Sequence, residues 1–269
     1  MKKKLLVLFL VALMVVSVAS CGTSNSKMLI NDDTLTVGIE PEYPPMEYKD
    51  DSGKLVGFDV DMANEIADRM GVKIQFVETA WDGIFMGLSA QKYDVIISSV
   101  SITQARINAG EFLLTDAYMN NGQYIVVRND GKEIATTNDL AGLTVGVQFA
   151  TTADEACAKQ QATVNFSVIQ YDTVQQAFLA LQAGYVDAVV VDSMVAIDYV
   201  NNNAKTFKIT SAKLTNEPLG IAVGKDNKAL VDKINKIIAE MHKDGTLKTL
   251  SEKYLGGYDA TTNIDTTLK

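Results

Sequence analysis

Histidine is almost missing from this 269-residue chain, with His242 the single copy, and cysteine occurs only at Cys21 and Cys157. One imidazole and two distant thiols exclude zinc fingers, HExxH metalloproteases and any triad built on another histidine. Positive charge is also short. The 24 Lys+Arg face 33 Asp+Glu, a formal net charge of −9, the opposite of a nucleic-acid footprint. Long apolar runs are lacking too: the run from Leu5 to Val16 falls short of the roughly 20 residues that span a bilayer. No catalytic residue, metal or cofactor is assigned. What remains is an ordinary globular composition, 47% hydrophobic and 21% charged, long enough for one or two domains.

The N-terminus reads as an address. Lys2-Lys3-Lys4 is a basic n-region, and Leu5 to Val16 fits the core of a secretory signal. Ser17-Val18-Ala19-Ser20-Cys21-Gly22 resembles the bacterial lipobox, in which the cysteine is acylated and becomes the mature N-terminus. Residues 1–20 are therefore expected to be a lipoprotein signal peptide and Cys21 the lipid attachment site, anchoring an exported protein to the membrane. Two or three acyl chains give firm attachment where one does not. The alternative is a plain signal with an incidental cysteine. An acylated Cys21 leaves Cys157 without a disulfide partner. Residues 21–31 read as a tether.

The body contains two related halves. Leu35-Thr36-Val37-Gly38-Ile39 returns as Leu143-Thr144-Val145-Gly146-Val147. GLSAQKYDVIISS, from Gly87, is echoed by ALQAGYVDAVVVDS, from Ala180; in each, an aspartate (Asp94, Asp187) precedes a β-branched run. Such runs, alternating with helical patterns, predict parallel strands buried on both faces, in two α/β lobes. Val60, Ala63, Ile66, Ala67 and Met70 recur at helical spacing before Gly71, and Leu230, Ile234, Ile237, Ile238 and Met241 do the same. Asp59, Asp82 and Asp172 stand at helix starts and are expected to be N-caps. Gln123–Arg128 and Leu219–Val223 are expected to cross between lobes, which places 32–122 and 218–269 in the first lobe and 123–217 in the second. Facing α/β lobes imply a small-molecule cleft beyond the strands' carboxyl ends.

Gly57-Phe58-Asp59-Val60-Asp61-Met62-Ala63-Asn64-Glu65-Ile66-Ala67 resembles the signature of the family 3 extracellular solute-binding proteins, which serve amino-acid ABC importers. Glu40 to Tyr48, Ser98 to Arg106, Val145 to Thr152 and Val186 to Ser193 match further family blocks in order. The resemblance implies a two-lobed type II periplasmic-binding-protein fold, each lobe a mostly parallel sheet with flanking helices, joined by two crossing strands. It further implies a monomer that carries a free L-amino acid to a membrane permease. Ala150 departs from the family's usual glycine, and Phe112 to Met119 lacks the usual proline.

An amino-acid carboxylate is best met by a guanidinium fork. Arg106 aligns with the family's carboxylate-binding arginine, with Ser99 and Ser101 beside it; Ser98, one step out of phase, is expected to pack as loop. Asp192 matches the ammonium-binding aspartate, and the alternative is a cap for the helix that follows it. Thr151 and Thr152 match donors at a helix N-terminus. Tyr43 and Trp81 match aromatics against the ligand's aliphatic stem, with Trp81 expected in an exposed cleft position; Met119 reads as core filler.

Glu40 and Gln148 occupy positions where relatives contact the ligand side chain, and EPEYPPME with VGVQ is similar to arginine- and lysine-binding members. The alternatives are a glutamine or cystine binder, or a dehydratase on the same fold with Glu40 or Glu47 as acid or base. A scaffolding Glu40 would instead bond backbone amides near Pro41.

Overall fold

The computed structural model describes residues 28–265 and 267; the expected signal peptide, Cys21 and the start of the tether lie outside the described residues. Among the described residues, no helix is long and apolar enough to cross a membrane.

The chain begins with β1 (Thr34–Ile39), the short antiparallel strands β2 (Glu42–Tyr43), β3 (Glu47–Lys49) and β4 (Leu55–Val56), and helix α1 (Phe58–Met70). β5 (Lys73–Glu78), α2 (Trp81–Ser89), β6 (Val95–Ser101), α3 (Gln104–Ala109) and β7 (Phe112–Leu114) follow. Next come β8 (Gln123–Arg128), β9 (Thr144–Gln148), α4 (Thr152–Gln161), β10 (Ser167–Tyr171) and α5 (Val174–Ala183). β11 (Ala188–Asp192), α6 (Ser193–Asn202), β12 (Phe207–Lys213), β13 (Leu219–Gly224), α7 (Lys228–Lys243) and α8 (Thr246–Tyr254) complete the order.

Two five-stranded sheets result, ordered β5-β1-β6-β13-β7 and β10-β9-β11-β8-β12. The central strands β6 and β11 are buried at every position, as their unbroken apolar runs require. In each sheet a single strand opposes the rest: β13 in the first, β8 in the second. Each is the strand the chain enters on arriving from the other sheet. The segments expected as crossings therefore each settle into one sheet, and the passages themselves are residues 115–122 and 214–218. These lie side by side, with Leu214 N–H donating to Gln123 O, Glu217 N–H to Asn121 O and Leu219 N–H to Met119 O. A Cβ on Gly122 would fall 2.4 Å from Thr215 O, so only glycine permits that approach.

The internal repeat carries a repeated contact. Asp94 Oδ2 accepts the Thr36 N–H at 2.8 Å, and Asp187 Oδ2 accepts the Thr144 N–H at 2.8 Å. Each aspartate pins the strand that carries its LTVG repeat, β1 or β9, to the central strand of the sheet.

The expected caps need correction. Gly57 and Ala80 occupy the N-cap positions of α1 and α2 without a side-chain bond, so Asp59 and Asp82 lie inside the first turn. Thr173, not Asp172, caps α5 by accepting Gln176 N–H. In each case a carboxylate that favours a helix N-terminus through the dipole stands one or two places from the cap itself. Gly71 does end α1 in the left-handed region, at φ 74°. The tether also ends earlier than expected: Leu29 is buried, Ile30 N–H donates to Asp94 and Asn227 donates to Met28 O. Cys157 is free and buried, and burial pushes its thiol up to about 12.

Candidate functional site

The carboxyl ends of β1, β6, β9 and β11 converge between the sheets, where the cleft retains about 330 Å³ of atom-free space. All ten residues singled out in the sequence line it. Glu40 follows β1; Ser99 and Ser101 end β6; Gln148 ends β9 and Asp192 ends β11. Trp81 opens α2, Arg106 lies on the short α3, and Tyr43 comes from β2. Thr151 caps α4 by accepting the Asp154 N–H, which brings the neighbouring Thr152 into the cleft.

Arg106 is the cation among the lining residues. Its Nη1 donates to Ser101 O at 2.8 Å, and its guanidinium lies 5.1 Å from the Phe85 ring centre and 5.9 Å from that of Trp81. Burial lowers its pKa, opposed by Glu155, Glu217 and Asp192. At the other end, Asp192 accepts from Tyr43 OH at 2.7 Å, Asn121 Nδ2 at 2.5 Å and Gln123 Nε2 at 2.7 Å. Burial raises Asp192 against the pull of those hydrogen bonds. It stands at the N-cap position of α6 without bonding the helix, so its carboxylate serves the cleft.

The two lobes touch through the same residues. Gln148 Nε2 donates to Glu40 Oε1 at 2.7 Å, Trp81 Nε1 to Ala150 O at 3.0 Å, and the Ser101 and Thr152 hydroxyls lie 3.3 Å apart. Glu40 therefore bonds the opposite lobe rather than amides near Pro41, and burial raises it to about 7. Trp81 is buried, edge-on to Phe85, which corrects the expected exposed position. Ala150 takes φ 60°, the region a glycine adopts without strain.

Glu47, Ser98, Gln123 and Ala153 also line the cleft. Strand alternation argued against Ser98, but Ser99 has φ 50° and breaks that alternation. Ser98 Oγ donates to Glu47 Oε1 at 2.7 Å and accepts the Glu40 N–H at 3.1 Å. Gln123 is legible in retrospect as a polar residue opening an apolar strand. The side-chain oxygens of Gln123 and Gln148 are buried without a hydrogen-bond partner. Beside two carboxylates they are acceptors that a ligand rich in N–H groups satisfies.

A sequence profile of the bacterial extracellular solute-binding proteins, family 3, matches residues 35–257. The chain belongs to that family. The family 3 protein is 36% identical over 224 residues, 83% of each chain, to the L-cystine-binding protein TcyJ of Escherichia coli. It is 33% identical over 259 residues to the L-arginine-binding protein of Pseudomonas aeruginosa, covering 94% of this chain and 96% of that one. Among solved structures, an ancestral arginine-binding protein bound to arginine is 41% identical at a TM-score of 0.78, covering 83% of this chain and 99% of that chain. These relatives are binding proteins rather than enzymes, and the fold is the two-lobed one they share.

Proposed function

We propose that the protein is the extracytoplasmic capture subunit of an amino-acid ABC importer and that it closes around a cationic L-amino acid, arginine or lysine. The observation that carries the reading is the distribution of charge: one guanidinium at one end, acceptors at two others. Arg106, with Ser101, Thr151 and Thr152, meets the ligand carboxylate. Asp192 and the free oxygen of Gln123 meet its ammonium. Glu40 and the free oxygen of Gln148 receive the side-chain cation, while Tyr43 and Trp81 flank the aliphatic stem. An unpaired buried carboxylate penalises apolar ligands.

In this reading 32–122 with 218–269 forms one lobe and 123–217 the other, the passages between them act as the hinge, and the monomer is held at the membrane through lipidated Cys21, next to its permease. A second reading, L-cystine, is favoured by the cystine-binding relative. Cystine carries two zwitterions, so its far ammonium also suits Glu40. Calorimetry with arginine, lysine, glutamine and cystine decides. Arginine or lysine is expected to bind at least tenfold more tightly than the others, and preference for cystine or glutamine overturns the cationic assignment.

A further inference from the structure

At the floor of the cleft stands an acid pair to which the proposed capture assigns no role, Glu47 in the lining and Asp59 behind it. Glu47 is 1% exposed and Asp59 fully buried. They are forced together by the turn before α1. Asp59 N–H donates to Met46 O at 2.8 Å, and Gly57, at φ 132°, packs so closely that a Cβ would fall 2.2 Å from Met46 O. Asp59 is saturated with donors: Ser99 N–H at 2.6 Å, Ser99 Oγ at 3.2 Å and Tyr118 OH at 2.9 Å. A carboxylate receiving three donors on its two oxygens is the charged member of the pair. Glu47 is the reverse. Its Oε1 accepts from Ser98 Oγ, while its buried Oε2 finds no donor. The two carboxyl groups are in hydrogen-bonding contact, so a hydrogen on Glu47 Oε2 gives that atom its partner in the Asp59 carboxylate.

We propose that Glu47 and Asp59 share one buried proton, carried by Glu47, and that this proton holds the Ser98–Ser99 floor of the cleft in place. The pair grips that floor from both sides, Glu47 through Ser98 and Asp59 through Ser99. Ser99, at φ 50°, is a non-glycine residue kept in the left-handed region by the Asp59 contacts. The titratable groups facing the pair are Glu40 after β1, Tyr43 of β2, Tyr118 on the 115–122 passage and, through the two phenols, Asp192 of β11; all are acids or phenols. None offsets a second negative charge. Burial accordingly lifts Glu47 well above the ordinary carboxylate range and Asp59 to about 6. Loss of the proton to solvent leaves two carboxylates in contact, which push Ser98 and Ser99 apart.

The sign follows from linkage. A group whose folded-state pKa is raised stabilises fully below its ordinary value and loses that contribution as pH climbs through the raised one. Thermal unfolding of wild type and Glu47→Gln from about pH 5 to about pH 9 reads this. Glutamine keeps the acceptor for Ser98 and a donor for Asp59 but cannot ionise. The melting temperature of Glu47→Gln is expected to match wild type at the acid end and to exceed it increasingly as pH rises; a constant offset overturns the proposal. Asp59→Asn, which loses an acceptor and adds a donor against Ser99, is expected to melt below Glu47→Gln at every pH, and the reverse order also overturns it. Infrared spectra need no change at Glu47. In a Glu40→Gln background at about pH 8 a carboxylic-acid carbonyl band is expected, and its absence overturns the shared proton.

Discussion

Tyr43 and Asp192 meet across the cleft, the phenol donating to Oδ2 at 2.7 Å. The first comes from β2 beside the first sheet, the second from the end of β11 in the other. The residue assigned to the ligand ammonium is thus also a point of lobe-to-lobe contact. Tyr43→Phe removes a buried hydrogen bond to a carboxylate, of order 1.5–3 kcal/mol. Its ligand-free form is expected to be more open, with a larger radius of gyration by small-angle scattering and a return to the compact value with saturating arginine. Equal radii for the free mutant and free wild type would show that this bond does not hold the lobes.

Arg106 is the cation lining the cleft, so its loss is expected to weaken every amino-acid ligand. Arg106→Ala should cost about 2–5 kcal/mol, roughly 30- to 5,000-fold in affinity, with the fold intact. Arg106→Lys should also weaken binding, since an ammonium cannot reproduce both the fork and the stacking on Phe85 and Trp81. Near-normal calorimetric titrations with either variant would remove Arg106 from the ligand.

Glu40 is raised to about 7 by burial. In the free protein its stabilising contribution is present below the ordinary carboxylate value and lost as pH rises through about 7. A cationic ligand reverses the balance by favouring the ionised form. Arginine affinity is therefore expected to rise with pH through that window, with proton release on binding. Glu40→Gln, which still offers an oxygen to Gln148, should flatten the profile and lose about 2 kcal/mol or more for arginine while losing little for glutamine. Equal losses for both ligands would make Glu40 a scaffold.

Asp94 and Asp187 are repeats in sequence and unequal in burden. Asp94 is buried and accepts from Thr36 N–H, Thr36 Oγ1 and Ile30 N–H; Asp187 accepts a single exposed bond from Thr144. Asp94→Ala strands the buried Thr36 N–H and should cost about 2 kcal/mol or more, whereas Asp187→Ala should cost about 1 or less. Denaturant unfolding of the two variants compares them directly. Similar losses would mean that the contacts of Asp94 with Ile30 and the Thr36 hydroxyl add nothing.

The sequence by itself determined the architecture and the cast of the site. Buried strands need unbroken apolar runs and surface helices need a 3.6-residue stripe, so both periodicities stand in the letters, and a duplicated LTVG strand with its aspartate exposes two like lobes. The ten lining residues were legible through the resemblance to the family 3 solute-binding proteins, whose binding positions they match; most of them stand at the strand ends and helix starts where an α/β cleft gathers its polar groups. Tertiary structure decided what each polar group touches. Asp59 looks like a helix cap in one dimension; the close packing at Gly57 turns its carboxyl toward Glu47 and Ser99 instead. Ser98 was set aside by strand alternation, which a single left-handed residue at Ser99 overrides. The pairing of Gln148 with Glu40, 108 positions apart, has no trace in local pattern, because its two members stand at the ends of strands in different sheets. A hydrogen bond is chosen by distance and burial in three dimensions, and residue type fixes only what each group is able to give or accept.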